Sequence, residues 1–241
     1  MRIILTRTYS SAARIAAVSS VVALAFYSSK AEAQAAPPAI DWSAEIGVAT
    51  EYVGKGLGKS DGDPSIFAGV QATHGAFYAK VWASTADLPQ GSNAEIVTSL
   101  GYRTRWAGNG LNFSVVNRDL PGTRSGIDSN FFEFQTDVSR RIGAVNTRLR
   151  VNYTPDGFAA TEEAWWIELN GSAPINAATR VSAAIANRMA ENGADYNAWN
   201  LGVTRDLTDN LALDVRWYDT DAHFRSSAYD GRLVAALTAS F

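Results

Sequence analysis

From Trp42 to Phe241, apolar and polar residues alternate with a period of two in one short segment after another. "WSAEIGVATEYV" puts Trp42, Ala44, Ile46, Val48, Thr50 and Tyr52 on one face, with Glu45 and Glu51 on the other. "AEIVTSLGYRTRW" sets Ile96, Thr98, Leu100, Tyr102, Thr104 and Trp106 against Glu95, Val97, Ser99, Gly101, Arg103 and Arg105. "LALDVRWY" sets Leu211, Leu213, Val215 and Trp217 against Asp214 and Arg216. The final "YDGRLVAALTASF" aligns Tyr229, Gly231, Leu233, Ala235, Leu237, Ala239 and Phe241. Such alternation marks strands with two unlike faces. It predicts twelve strands, over 42–53, 65–73, 77–85, 94–106, 111–118, 130–140, 146–154, 163–171, 178–188, 195–205, 211–219 and 229–241. The second and third are rather apolar on both faces.

The connections alternate in length. Short ones fall at "HGA", "AGNG", "IGAV", "SAPINA" and "DLTDN". Longer, turn-rich ones fall at "GKGLGKSDGDP", "ADLPQGSN", "DLPGTRSGIDS", "TPDGFAATE", "MAENGA" and "DTDAHFRSSA". Short turns at one rim and longer loops at the other suit an up-and-down barrel of the outer-membrane kind. A soluble β-sandwich also alternates, and a soluble periplasmic β-protein is the structural alternative. Spacing along the strands favours the barrel. Trp42 and Tyr52 lie ten residues apart on one face, about 33 Å along the strand and about 25 Å along the axis at a tilt of about 40°. Tyr229 and Phe241 bracket the last strand similarly, at about 30 Å. Small and aliphatic residues lie between the aromatic ends, as a lipid-facing band requires. The expected fold is therefore all-β, a transmembrane up-and-down antiparallel barrel of about twelve strands. Its aromatic girdle would comprise Trp42, Tyr52, Trp106, Trp165, Trp217, Tyr229 and Phe241.

The residues before the first strand read differently. Arg2, Arg7 and Arg14 precede a 13-residue apolar run from Ile15 to Tyr27, and Ala31-Glu32-Ala33 offers a small-residue cleavage site. This is the layout of a secretory signal peptide, and the run is short for a membrane helix. The expected organisation is a signal peptide over 1–33, a periplasmic lead over 34–41 and a barrel over 42–241, placed in the outer membrane of a Gram-negative cell after secretion. The 241 residues include no cysteine and two histidines. Disulfides and cysteine-held metals are excluded, and no metal or cofactor is implied. The net charge of −3 leaves no basic footprint for nucleic acid.

The stretch "EYVGKGLGKSDGDPSIFAGVQATHGAFYAKVWASTADL" resembles the opening of the TorF family of porin-like outer-membrane barrels. Tyr52, Gly56, Ser60, Pro64, Gly69, Tyr78, Trp82 and Ser84 match that family's pattern. Lys55 stands where Arg is usual, Gly58 replaces a Ser and Ala79 replaces a Gly. "LGYRTR", "DLPG" and "NFFEF" resemble further family positions, so the likeness runs over the whole mature chain. It implies an outer-membrane barrel whose terminal Phe241 is read by the barrel-assembly machinery. It supplies no substrate.

The polar face carries the candidate chemistry. Lys80, Arg103, Arg105, Arg118, Glu133, Asp137, Arg148, Arg150, Glu168, Arg180, Asp214 and Arg216 fall on it and would line the lumen. A barrel of this size lies between those filled by side chains and those with a wide aqueous pore. The expectation is a narrow, mixed-charge channel for small polar or charged solutes, with selectivity set by groups such as Arg103, Arg105, Arg148 and Arg150. The alternative is a structural barrel plugged by Arg–carboxylate pairs. An enzyme is not expected. The one constellation for it pairs Asp61 and Asp63 with Asp219, Asp221 and His223, similar in kind to the omptin outer-membrane proteases, but "SDGD" is also ordinary turn chemistry. His74 falls in a short turn with no serine beside it. "GKGLGKS" has neither Walker spacing nor a following helix.

Overall fold

The computed structural model describes residues 39–159 and 161–241. The predicted signal peptide and most of the lead lie outside the described residues. Among those described, the chain forms β1 (Asp41–Ala49), a small hairpin of β2 (Val53–Gly54) and β3 (Leu57–Gly58), then β4 (Ser65–His74), β5 (Phe77–Thr85), β6 (Ala94–Trp106) and β7 (Asn109–Asp119). There follow β8 (Asn130–Ile142), β9 (Val145–Gly157), β10 (Glu162–Asn176), β11 (Thr179–Ala190), β12 (Tyr196–Asp206), β13 (Leu211–Thr220) and β14 (Arg232–Ser240). Twelve of these, all but β2 and β3, pair with their chain neighbours in an antiparallel closed barrel. Closure is between β14 and β1, with Val48 opposite Leu237. The predicted architecture and strand number are those observed. Among the described residues, no helix is long and apolar enough to cross a membrane.

The register explains how alternation becomes an inside and an outside. Arg103 lies opposite Asn112, Asn112 opposite Asp137, Asp137 opposite Arg150 and Arg150 opposite Glu168. Because side chains on paired strands share a face, this row of polar groups points into the barrel. The outward rows carry Ile46, Val70, Val81, Leu100, Leu149, Ile185 and Leu201, all exposed. An apolar exterior around a polar interior is the inside-out arrangement of membrane barrels. Trp42, Trp106 and Phe241 stand outward at the rim of tight turns, each about 70% exposed. Trp165, Trp199 and Trp217 stand outward near the rim of long loops, where Trp165 packs against Tyr153 at 4.6 Å and Tyr153 against Phe134 at 6.4 Å. An arginine in the middle of this band has no water to meet. Leu201→Arg should cost about 2–4 kcal/mol, read as a lowered urea midpoint for unfolding from lipid vesicles.

Most strand ends differ from the sequence reading by one to five residues, and three of these shifts have a local cause. β1 ends at Ala49, not at residue 53. Thr50 makes its last barrel contacts to Ala235, its N–H donating to the carbonyl at 2.9 Å and its hydroxyl accepting the Ala235 N–H at 3.1 Å. The chain then turns inward. β14 begins at Arg232, because Ser227–Tyr229 forms a 3₁₀ turn. β10 runs through most of "SAPINA" to Asn176. Pro174 is tolerated there because pairing to β9 stops at Ser172, leaving its missing N–H without a ladder partner to disappoint.

Candidate functional site: the barrel interior and its inward hairpin

The first long connection folds into the barrel. Lys55 and Gly56 both have positive φ, 53° and 81°, which is what a two-residue primed turn requires and why glycine sits at the second position. The β2–β3 hairpin built on it reaches the wall formed by β6, β7 and β8. There Glu95 and Glu133 are 0% and 1% exposed. Arg118, between them on β7, donates through one terminal nitrogen to Glu95 and through Nε to Glu133 at 2.8 Å. The hairpin completes the cluster from the other side. Lys55 pairs with Glu133, and Lys59 with Glu95 at 2.5 Å. The Tyr52 hydroxyl donates to Glu95 at 3.0 Å, and Thr154 and Asn152 donate to Glu133 at 3.2 and 3.4 Å. Across the lumen, the Tyr196 hydroxyl donates to the Lys55 carbonyl at 2.8 Å. At the base of the loop Glu51 pairs with Arg232 of β14.

Two buried carboxylates thus face three cations. Taking such charges out of water is costly, and only complete pairing offsets it. Lys55 lies on the hairpin, outside the spanning strands. Burial pulls its ammonium down to about 8, against the opposing attraction of Glu133. Burial, reinforced by the adjacent Glu95 carboxylate, pushes the Tyr52 hydroxyl well above its ordinary range, so it stays a donor.

The hairpin stands between two open spaces. On the turn side a cavity of about 850 Å³ is lined by Lys80, Arg103, Arg105, Arg118, Arg148 and Arg150, with Asp137 as its one acidic lining residue among those described. On the loop side a space of about 320 Å³ is lined by Lys55, Lys59, Glu95, Glu133 and Arg188, with Trp166 and Tyr196. Many wall charges are paired: Lys80 with Glu45 at 2.7 Å, Arg148 with Glu168 at 2.7 Å, Arg150 with Asp137 at 2.7 Å, Arg216 with Asp214 at 3.0 Å and Arg180 with Asp206 at 3.5 Å. Arg103 differs. It donates to Gln71 at 3.1 Å and lies 4.1 Å from the Tyr78 ring, with no ion pair among the described residues. Arg105, also without an ion pair among the described residues, lies opposite Gly110, whose flank is filled by the Ser139 side chain.

All twelve wall charges singled out from the alternation lie on interior rows. Two of the girdle aromatics do not lie on the outer surface. Tyr52 is drawn inside by Glu95 and packs on Trp82 at 5.4 Å. Tyr229 sits in the 3₁₀ turn, edge-on to Tyr196 at 5.3 Å, with its carbonyl accepting from Thr220. Lys55, Lys59, Glu51 and Glu95 were absent from the sequence-derived site because their partners are remote in the chain. The nearest sequence signal was the Gly- and Lys-rich run "GKGLGKS", which carries no record of a partner.

Of the hydrolase constellation, the Asp–His half is joined by a direct contact. His223 Nε2 lies 2.7 Å from Asp219, but no hydrogen bond or ion pair joins Asp61 or Asp63 to that pair. Asp221 instead accepts from the Asn197 side chain and backbone N–H, which hold its carboxyl below the ordinary carboxylate range. No group of three or more His, Cys, Asp or Glu suited to a metal occurs among the described residues.

Fold and interior together define the class: a closed membrane-type β-barrel with a charged lumen and an inward-folded first loop. The profile of the family described as "Bacterial protein of unknown function (Gcw_chp)" matches residues 32–241, and the chain belongs to that family. No curated protein matches it in sequence. Among solved structures it is similar in fold to the KdgM porin, with TM-score 0.59 and 8% identity over 83% of this chain and 99% of that one. It is also similar to the NanC porin, with TM-score 0.51 and 9% identity over 83% and 98%. A third likeness is to the COG4313 outer membrane channel from Pseudomonas putida F1, with TM-score 0.50 and 11% identity over 89% and 100%.

Proposed function

We propose that this protein is an outer-membrane porin-like channel, passing small polar or charged solutes by passive diffusion through a narrow, mixed-charge lumen. The observation that carries the reading is the pair of charge-lined spaces separated by a single inward hairpin, which gives a water-compatible path a defined constriction. The likeness in fold to porins and the resemblance of the first loop to the TorF type support it. In this reading the chain is exported by its N-terminal signal, both rims of the strands meet lipid through their aromatics, and Phe241 serves the assembly machinery. The turn rim faces the periplasm. Residues 1–33 are removed, and 34–40 form a lead into β1.

The second reading, a plugged structural barrel, is favoured by the completeness of the ion pairing around Glu95 and Glu133. Single-channel recording of the refolded protein under a KCl gradient decides between them. The expected result is discrete conductance steps with a modest anion preference, because the constriction presents Lys55, Lys59 and Arg118 against two carboxylates. Lys55 loses its charge as pH rises through about 8, so the anion preference should fall between about pH 7 and about pH 9. A folded barrel that never conducts would establish the plugged form.

A further inference from the structure

We propose that the turn-side cavity holds a binding site for small organic acids, built on Arg103 and Arg105 of β6. The channel reading enters only in how a solute would reach the site; binding itself does not depend on passage. Cations around this cavity fall into two kinds. Lys80, Arg118, Arg148 and Arg150 have carboxylate partners within 3 Å, so their charge is largely answered by the wall. Arg103 and Arg105 have none among the described residues. They stand two residues apart on the same interior row of β6, so both guanidinium groups serve one region of the cavity.

Their surroundings fit an organic anion better than a bare ion. Arg103 is oriented by Gln71 and by the Tyr78 ring, 4.1 Å away, which holds a planar fork of donors without consuming it as an ion pair would. The Tyr78 ring, which lines the same cavity, also offers an apolar surface for a solute's carbon face. At about 850 Å³ the space admits molecules of sugar-acid size. A carboxylate seated on Arg103 and Arg105 with its carbon skeleton against Tyr78 uses these features.

Isothermal titration of the full refolded barrel in detergent, with glucuronate, glucose and inorganic phosphate as probes, tests the assignment. Glucose lacks only the carboxylate and phosphate lacks the carbon face. Glucuronate should bind at least about tenfold more tightly than either, since charge-assisted hydrogen bonds discriminate at about that level. R103Q/R105Q should weaken glucuronate by about tenfold or more, while Arg205→Gln, an equal charge loss on the outer face, should leave its affinity unchanged. Heat-modifiable migration verifies that each variant is folded. Glucuronate binding no better than glucose, phosphate binding as well as glucuronate, or R103Q/R105Q binding as well as the parent would each overturn the site. Glucuronate binding by a barrel that does not conduct supports the site and removes the channel reading; conductance without binding does the reverse.

Discussion

Arg118→Ala is expected to destabilise the barrel by about 3–5 kcal/mol, because it strips two fully buried carboxylates of the cation they share. Glu95 and Glu133 have no water to fall back on, and the lysines that remain are on a loop that can leave. The variant should therefore show two changes: a lowered urea midpoint, and faster proteolytic cutting between Lys55 and Lys59. A rescue separates lost charge balance from lost packing. Arg118→Met combined with Glu95→Gln, Glu133→Gln, Lys55→Met and Lys59→Met removes all five charges of the cluster at similar volume, so much of the stability should return. If this combined variant is no more stable than Arg118→Ala, the cluster is not governed by charge compensation.

Excising residues 53–58 is expected to raise single-channel conductance severalfold. The cut is conservative for the backbone, since the Tyr52 carbonyl already accepts the Lys59 N–H at 2.7 Å and the ends meet. What it removes is the hairpin between the two charge-lined spaces, together with the Lys55 partner of Glu133. Lys59 is retained and still answers Glu95. Neutral sugars that do not pass the parent should then enter proteoliposomes in a swelling assay. Unchanged conductance would show that the narrowest point lies elsewhere on the wall.

Both experiments concern residues that lie far apart in the chain, and this separates what the amino-acid pattern reveals from what it conceals. The span of β6 was read without error from "AEIVTSLGYRTRW", and β5 likewise from its alternation. A strand's two faces are a local property, repeated every second residue, and the twelve outward rows needed no knowledge of one another. The same logic failed where alternation continued after the strand had ended. Thr50 and Tyr52 keep the parity of Trp42 and Val48, yet Tyr52 points inward, because a hydroxyl that can reach buried Glu95 gains more there than a ring gains at the lipid rim. Tyr229 was misplaced for a related reason, its 3₁₀ turn packing on Tyr196 of a different strand.

The chain by itself thus determined that there would be a closed sheet with an apolar exterior, a polar interior and long loops at one rim. Which interior charges answer one another was decided only in three dimensions. Lys55 meets Glu133 seventy-eight positions away, and Arg232 meets Glu51 across one hundred and eighty-one. Period-two alternation fixes the side a residue faces, but nothing in it records the partner that barrel closure brings opposite. That partner decides whether a charge becomes a latch, as with Arg118, or is left to face a solute, as with Arg103 and Arg105.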